Sequence, residues 1–305
     1  MERVWGGRSL ESLLGKSLPG SLPIGELWEV SDREGAQSIV REGPFRGKTL
    51  HELWTGHRKE VFGNLHLSNP SRRFPLLIKL LDARARLSVQ VHPPEHRAAP
   101  PLTEAKTECW YFLDAEEGAE VFAGLKRGVT GSDFRRSLDE GTVEKTLHRL
   151  PVRQGESLYL PSGRLHAIGA GLVIVEVQQN SDTTFRVFDW NRAGLDGKPR
   201  ELHVEESLES IDFADIEPPL TPATQTLIAD CPHFRVEKIT LIHRWNAARE
   251  DDFRVVACVG GGIRCGNASV GPGGFLLIPA SKHPLFLEPL LPGTSALVTT
   301  LPPVP

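Results

Sequence analysis

The sequence has few cysteines and no long apolar run. Its four cysteines include no CxxC pair, which favours reduced thiols in a cytosolic protein, although one disulfide is compatible with it. No run approaches the ~18 apolar residues that a membrane span needs. The opening residues, MERVWGGRSLESLLG, lack the apolar core of a secretion signal. We therefore expect a cytoplasmic globular protein.

An excess of positive charge is also missing. The 35 Lys and Arg residues are set against 39 Asp and Glu residues, which gives a net charge of −4. Proteins that bind nucleic acids or anionic membranes through charge carry a basic excess, so we expect neither partner. The 305 residues suffice for one large or two ordinary domains with a substantial buried core.

What the chain has instead is a series of short β-like runs, punctuated by 29 Gly and 24 Pro residues. Helical patterns are few: two short helices are expected between residues 132 and 147, where Ser132 could cap the first, and one over residues 204–211. Many short strands with few helices favour a sandwich, jelly roll or barrel. The predicted strands before residue 220 are PLLIKLLDA, RLSVQVH, TECWYFLDA, AEVFAGL, ESLYLP, GLVIVEVQQ and TTFRVFDW.

A connector rich in Pro and Thr, DFADIEPPLTPATQTL, follows the last predicted helix. It predicts a boundary near residue 220, with one domain over residues 1–220, including a short helical segment at about 131–150, and a second over residues 221–305. GESLYLPSGRLH before the boundary has a weak echo in GGFLLIPASKH after it. Two related β domains, one of them altered, would produce such an echo.

Polar side chains alternate with aliphatic ones in the stretch LSVQVHPPE. Successive side chains of a strand point to opposite faces, so Gln90 and His92 share one face. Glu108 in KTECWYF and His166 in PSGRLHAIG lie on other strand-like runs. Imidazole and carboxylate suit Zn²⁺, Fe²⁺ or Mn²⁺ rather than a calcium cage, and this set leaves a position for water or substrate. Taken alone, each residue could equally be an ordinary solvated or hydrogen-bonded strand residue.

The segment GESLYLPSGRLH resembles the second signature motif of cupins, and the chain resembles more closely the short bacterial form of type I mannose-6-phosphate isomerases. The resemblance implies a mainly β protein, with a cupin jelly roll, a few short helices and a smaller, degenerate cupin-like C-terminal β domain. It also implies one Zn²⁺ ion per chain, with Fe²⁺ or Mn²⁺ as alternatives, bound by Gln90, His92, Glu108 and His166. The segments that carry the resemblance are PIGELWEVSD, FPLLIKLLDARARLSVQVHPPE, KTECWYFLDAEEGAEVFAGLKRGVT, PSGRLHAIGAG, VIVEVQQNSDTTFRVFDWNR and GKPRELHVEESL.

The resemblance further implies the interconversion of mannose 6-phosphate and fructose 6-phosphate through a cis-enediol(ate). Arg186 resembles the family's active-site arginine and would stabilise the enediolate or steer the sugar. Glu176 matches an acidic residue of the pocket and would be a proton shuttle, unless it forms a buried ion pair with Arg186. Lys106 falls on the same strand face as Glu108 and would bind the sugar or phosphate or assist proton transfer, unless it is a surface lysine.

Two further residues are candidates for binding the phosphate of the substrate. Ser88 lies on the same strand face as Gln90 and resembles a phosphate-contacting serine of the family. Lys79 is the charged residue of an otherwise apolar run, LLIKLLD, so it either faces the cavity, as we expect, or marks an edge strand. Cys109 falls on the face opposite Glu108 and is expected to be a small buried hydrophobe.

The sequence also departs from the family in places and leaves competing functions open. The long form of the family carries an inserted helical domain, whereas residues 130–151 here leave room for only two short helices. His283, in the C-terminal echo, has no companion ligands, so we expect no second metal site. The competing functions are another cupin metalloenzyme, such as an iron-dependent dioxygenase, and a non-catalytic sugar-phosphate sensor. The expected partner is a sugar phosphate, and the chain would be a monomer or a homodimer.

Overall fold

Strands dominate the structure, which is a computed structural model of the chain and describes residues 1–100 and 102–303. The strands are β1 (Glu2–Gly7), β2 (Glu26–Val30), β3 (Leu76–Ala83), β4 (Val89–Val91), β5 (Glu108–Ala115), β6 (Glu120–Leu125), β7 (Leu147–Pro151), β8 (Ser157–Leu160), β9 (His166–Ile168), β10 (Leu172–Gln179), β11 (Phe185–Phe188), β12 (Leu227–Asp230), β13 (Arg235–Thr240), β14 (Trp245–Asn246), β15 (Arg254–Gly260), β16 (Ile263–Cys265), β17 (Ala268–Val270), β18 (Phe275–Ile278), β19 (Phe286–Pro289) and β20 (Ser295–Thr300).

Helices are few and short. They are α1 (Ser9–Ser12), α2 (Leu50–Gly56), α3 (Arg58–Phe62), α4 (Gly131–Asp139) and α5 (Val204–Ser210), with 3₁₀ turns at Asn64–His66, Glu95–Arg97 and Val143–Lys145. No helix in the described part of the chain combines the length and the hydrophobicity that a membrane crossing requires.

The strand order is that of a jelly roll, and it occurs twice. The first pair of sheets has the orders β2-β3-β10-β5-β8 and β11-β4-β9-β6-β7. The second pair has the orders β12-β13-β20-β15-β18 and β14-β19-β16-β17. The two pairs of sheets correspond strand by strand when ten is added to each label of the first pair, so that β3 corresponds to β13 and β4 to β14. Among the strands described in these sheets, only β11 has no counterpart. The predicted mainly β, jelly-roll fold is confirmed.

The chain divides into two compact units. The first comprises Met1–Leu27, Leu80–Glu176 and Ser181–Ala223, and the second comprises Trp28–Lys79, Val177–Asn180 and the chain from Thr224 onwards. The predicted boundary near residue 220 lies close to the start of that last segment. A single cut does not describe the division, because residues 28–79 belong to the second unit. The assignment of residues 1–220 and 221–305 as catalytic and degenerate cupin-like domains stays a prediction.

Aromatic packing within the second unit explains why residues 28–79 group with the C-terminal strands. Phe62 at the end of α3 meets Phe253 edge-on, with ring centroids 5.0 Å apart. The buried His66 lies beside them, with its Nε2 2.9 Å from a carboxylate oxygen of Asp252. These contacts join stretches that are far apart in the sequence, so no short-range pattern predicts them.

In the first unit, the two faces of β4 have different surroundings. Val89 and Val91 lie in a buried cluster that also contains Phe134 of α4 and Val187 of β11. The opposite face of the strand therefore carries the polar side chains of LSVQVH, as the alternation predicted. A second buried cluster, which includes Trp110 of β5, is built from strands of both sheets.

Helix α4 begins earlier than the sequence predicted. Thr130 is its N-cap: the Thr130 hydroxyl accepts the backbone N–H of Asp133 at 3.2 Å, and the Asp133 carboxylate accepts the N–H of Thr130 at 3.0 Å. This reciprocal pair is a capping box, so the prediction that Ser132 caps the helix was wrong. The second helix predicted before residue 147 is only the 3₁₀ turn Val143–Lys145, and α5 agrees with the predicted 204–211.

Candidate metal centre

Gln90 lies in the middle of a row of side chains that crosses three strands. In the antiparallel pairing of β4 with β11 and β9, Arg186 is opposite Gln90, and Gln90 is opposite His166. Directly opposed residues of an antiparallel pair have their side chains on the same face. Arg186, Gln90 and His166 therefore all face the side of this sheet on which His92 also lies.

Glu108 of β5 lies between the two histidines. One of its carboxylate oxygens is 3.4 Å from His92 Nε2, and the other is 3.4 Å from His166 Nε2. All three side chains are buried, and their ligand atoms lie within 4.8 Å of one another. Two metal bonds of about 2.0–2.1 Å at a tetrahedral angle hold their donor atoms about 3.3–3.4 Å apart. The observed spacing therefore fits a single metal ion, and the structure brings the three residues together as the sequence predicted.

Both histidines present Nε2 to the centre because their other ring nitrogen is occupied. His92 Nδ1 donates to the carbonyl of Thr183, and His166 Nδ1 donates to the carbonyl of Arg164, each at 2.9 Å. A carbonyl only accepts, so the hydrogen is on Nδ1 and the Nε2 lone pair points to Glu108. Backbone carbonyls hold metal-binding histidines in this way.

The electrostatics keep the histidines neutral. Burial, together with the charge of Lys106, lowers the pKa of His92 to about 4. Burial likewise lowers the pKa of His166. Both rings are therefore neutral near pH 7, which is the form that binds a metal ion.

The carboxylate of Glu108 is the polar group whose surroundings most favour a cation. Neither of its buried oxygens accepts a hydrogen bond of acceptable geometry from the described residues. Burial raises its pKa, but the charge of Lys106 and the contacts with His92 and His166 together outweigh this effect and hold the pKa well below its usual value. Glu108 is therefore ionised, and a buried carboxylate requires a compensating positive charge close to it.

Lys106 faces the same centre. Its ammonium is 2.7 Å from a Glu108 oxygen and donates to His92 Nε2 at 3.2 Å. Burial disfavours the charge, but Glu108 and then Glu176 raise the pKa of Lys106 above its ordinary value. A positive group among these donor atoms indicates that the centre stabilises a cation. Lys106 is therefore buried beside Glu108 and is not a surface lysine, while its predicted role stays a prediction.

Gln90 fits a metal ion less directly than the other three residues. Its amide nitrogen, not its oxygen, points at His166 Nε2, at 3.1 Å. The oxygen lies 3.4 Å from the hydroxyl of Ser88. The two ends of an amide have nearly the same shape, so Gln90 could serve as an oxygen ligand after its amide rotates. The ligand atoms of His92, Glu108 and His166 already face one another, with the Lys106 ammonium beside them.

Glu176 of β10 is buried near this group. One of its oxygens accepts the indole N–H of Trp110 at 3.0 Å. Its negative charge also acts on Lys106. The structure therefore places a carboxylate and an ammonium beside the three candidate ligands, while their chemical roles stay predictions.

Arg186 lies in a cluster of three arginines, with Arg192 and Arg200. Asp189 binds Arg192 through two hydrogen bonds, of 2.9 and 3.0 Å, and Arg200 through two more, of 2.6 and 2.7 Å. Arg186 donates to the carbonyl of Glu201 at 2.8 Å, and its buried Nε has no hydrogen-bond partner among the described residues. Burial and then the charge of Arg200 lower the pKa of Arg186. The carboxylates of Asp189 and Glu201 act on Arg186, so three guanidinium groups outnumber the carboxylates and this end of the site favours an anion.

Sequence reasoning missed Arg192, Arg200 and Trp110. The signal for the arginines was present in NRAGLDGKPR, where two arginines, one lysine and a single acid follow the predicted strand TTFRVFDW. Trp110 had no such signal, because a tryptophan on a buried strand is usually a core residue. Its connection to the site is shown only by its contacts with Glu176 and His166 in the structure.

The other candidates are all buried. Ser88 lies beside Gln90, as its strand parity predicted. Lys79 lies on β3 in the second unit, with its ammonium 5.2 Å from the centroid of the Trp28 ring. Cys109 is buried, as predicted. Phosphate binding by Ser88 and Lys79 stays a prediction.

The chain has clear relatives among known proteins. Residues 1–137 match the model of the phosphomannose isomerase type I catalytic domain. The mannose-6-phosphate isomerase ManA of Bacillus subtilis (strain 168) is 36% identical over 271 residues, which cover 85% of this chain and 83% of the relative. The mannose 6-phosphate isomerase crystal structure from Bacillus subtilis aligns with a TM-score of 0.84 at 29% identity, over 98% of this chain and 96% of the other. A mannose 6-phosphate isomerase structure bound with zinc and yttrium shares the fold, with a TM-score of 0.70 at 17% identity over 99% and 97% of the chains.

Proposed function

The chain is an enzyme of the type I phosphomannose isomerase family, and on this basis we propose that it interconverts mannose 6-phosphate and fructose 6-phosphate with the aid of one bound Zn²⁺ ion. The observation that carries the proposal is the geometry of His92, Glu108 and His166. Their donor atoms lie within 4.8 Å of one another, and both imidazoles direct a neutral Nε2 at a buried carboxylate.

The proposed ligands are His92, Glu108 and His166, with Gln90 as a fourth. Two imidazoles, a carboxylate and an amide oxygen are a set that zinc binds well, with Fe²⁺ or Mn²⁺ as alternatives. A zinc-bound relative of the same fold is in agreement with this choice. When bound, the ion would supply positive charge near the sugar oxygens that become negative.

The reaction transfers a proton between neighbouring carbons of the open-chain sugar. A base removes the proton from C2 of the aldose, the C–H electrons form the C1–C2 double bond of a cis-enediol(ate), and O1 gains negative charge. Returning the proton to C1, while the proton of the O2 hydroxyl passes to O1, gives the ketose. We assign the proton transfer to Glu176, because it is a buried carboxylate close to the proposed ligands.

Lys106 suits a different task. Its pKa is raised by neighbouring carboxylates, so its ammonium stays charged and is a poor base. A fixed positive charge in a buried site stabilises negative charge that develops on a substrate oxygen. We therefore assign Lys106 to binding the oxygens of the sugar and not to removing the proton.

Arg186 is proposed to bind the substrate at the end that carries the phosphate. It lies opposite Gln90, and its unpartnered Nε is a donor available to a bound anion. Arg200 and Arg192 add further positive charge beside it. The register of β4 and β11 brings Ser88 towards the same end, which supports its predicted contact with the phosphate. Guanidinium groups bind phosphate through paired hydrogen bonds.

The experiment is a coupled assay for fructose 6-phosphate formed from mannose 6-phosphate. The purified protein should be active, lose its activity after chelation and dialysis, and regain it with Zn²⁺. Undiminished turnover by protein shown to be metal-free would contradict the metal proposal. Absence of turnover in the zinc-loaded protein, combined with measurable binding of the sugar phosphate, would favour the non-catalytic sensor.

A further inference from the structure

Trp110 is a buried residue whose indole touches two parts of the site. It lies two positions after Glu108 on β5, so both side chains are on the same face of the strand. Its Nε1 donates to a Glu176 oxygen at 3.0 Å. Its ring meets the His166 ring edge-on, with centroids 5.4 Å apart and planes at 82°.

We infer that Trp110 is a positioning residue, which holds the Glu176 carboxylate and the His166 ring in the geometry the reaction needs. The inference rests on the proposed function, because it takes Glu176 as the proton-transfer group. A charge-assisted hydrogen bond from a rigid indole restricts the rotation of the carboxylate that accepts it. Displacing a reacting group by about 1 Å can lower a rate by about 100-fold.

The His166 contact has a separate consequence. The backbone carbonyl of Arg164 fixes the hydrogen on His166 Nδ1, and the Gln90 amide lies 3.1 Å from Nε2, but contacts at the two nitrogens leave the ring free to tilt about the line that joins them. The Trp110 edge packs against the ring and limits this tilt. Groups that orient a metal ligand in this way typically alter metal affinity by about 10–100-fold when they are removed.

The chain contains a matched control for the ordinary role of a core tryptophan. Trp54 is as fully buried as Trp110. Its Nε1 donates to the carbonyl of Ser71 at 2.9 Å, and it lies in the second unit. Replacing either residue by Phe removes one indole hydrogen bond and a similar volume, so the two variants should lose similar stability.

The first test compares full-length Trp110→Phe and Trp54→Phe. Trp110→Phe should lower kcat by about 10-fold with KM within about 2-fold, and should weaken Zn²⁺ binding by about 10-fold in competition with a chelating dye. Trp54→Phe should keep both values, while its thermal midpoint falls by a similar amount. Equal kcat and equal Zn²⁺ affinity in the two variants would overturn the inference.

A second test asks whether Trp110 acts through Glu176. Glu176→Gln should lower kcat strongly, and adding Trp110→Phe to it should lower kcat by less than about 2-fold, because the group being positioned is already lost. Full additivity would overturn the positioning role. If the wild-type protein forms no fructose 6-phosphate, the proposed function fails instead. The Zn²⁺ affinities of the two tryptophan variants then still decide whether Trp110 positions His166.

Discussion

The ion pair between Lys106 and Glu108 gives a quantitative test of the centre without any turnover measurement. The ammonium and the carboxylate are 2.7 Å apart and almost fully buried. At an effective dielectric constant of about 20, two unit charges at this distance attract by roughly 6 kcal/mol. Much of this attraction offsets the cost of burying both charges. Removing one partner of a buried pair therefore typically costs about 3–5 kcal/mol, because the other charge is left behind.

Glu108→Gln should accordingly destabilise the metal-free protein by about 3–5 kcal/mol. The double variant Lys106→Met/Glu108→Gln removes both charges of this pair, so it should recover most of that loss, with the remainder set by the loss of the Lys106 charge beside Glu176. The assay is urea unfolding of chelated, dialysed protein, followed by circular dichroism. With a slope of about 3 kcal/mol per molar urea, the single variant should shift the midpoint by roughly 1 M.

The matched control is an exposed ion pair of the second jelly roll. Arg264 and Glu288 lie on neighbouring strands at 2.6 Å, with side chains 53% and 40% exposed. Glu288→Gln should cost no more than about 1 kcal/mol, because solvent screens the pair. If Glu108→Gln costs as little as Glu288→Gln, or if the double variant is no more stable than Glu108→Gln, the buried pair does not exist as described. The cation-stabilising character of the centre would then lose its support.

Two further predictions concern the proposed anion-binding end of the site and a helix terminus. Arg186→Gln should raise KM for mannose 6-phosphate by about 10–100-fold, because a charged hydrogen bond is worth about 1.5–3 kcal/mol; an unchanged KM, as expected for the exposed control Arg264→Gln, would remove Arg186 from substrate binding. Thr130→Ala should lower the free energy of unfolding by about 1 kcal/mol through loss of the α4 capping box, whereas Ser132→Ala should change it by less than about 0.5 kcal/mol. Thermal unfolding of both variants checks this, and a larger effect at Ser132 would contradict the observed cap.

Strand alternation was enough to predict much of the site. The parity of LSVQVH assigned Gln90 and His92 to one face and the valines to the other, and the structure agrees because alternation is a local property of a strand. The same rule assigned Lys106 to the face of Glu108. It did not predict that the ammonium lies between a carboxylate and an imidazole, because that position depends on a second sheet whose distance from β5 no local pattern encodes.

Features that depend on distant packing could not be predicted in this way. Residues 28–79 contain the short helix α2, with one buried face, and several aromatic residues. No pattern in this segment predicts that Phe62 packs against Phe253. Trp110 is similar, since its role follows from what its indole touches and not from its place in ECWYF. The capping box at Thr130 is different, because its signal, a Thr followed three residues later by Asp, was present in the sequence. In the structure this pair forms the N-cap in place of Ser132.

The repeated strand order shows that the fold alone does not make the site. Both halves of the chain have the same jelly-roll order, and GGFLLIPASKH even occupies the place of GESLYLPSGRLH. Yet His283 is exposed, and the one cluster of metal-ligand type among the described residues is in the first half. The first half also has β11, which has no counterpart in the second and carries Arg186 to its position opposite Gln90. The proposed chemistry therefore depends on side chains carried by β4, β5, β9 and β10 and on one strand added to the edge of a shared scaffold.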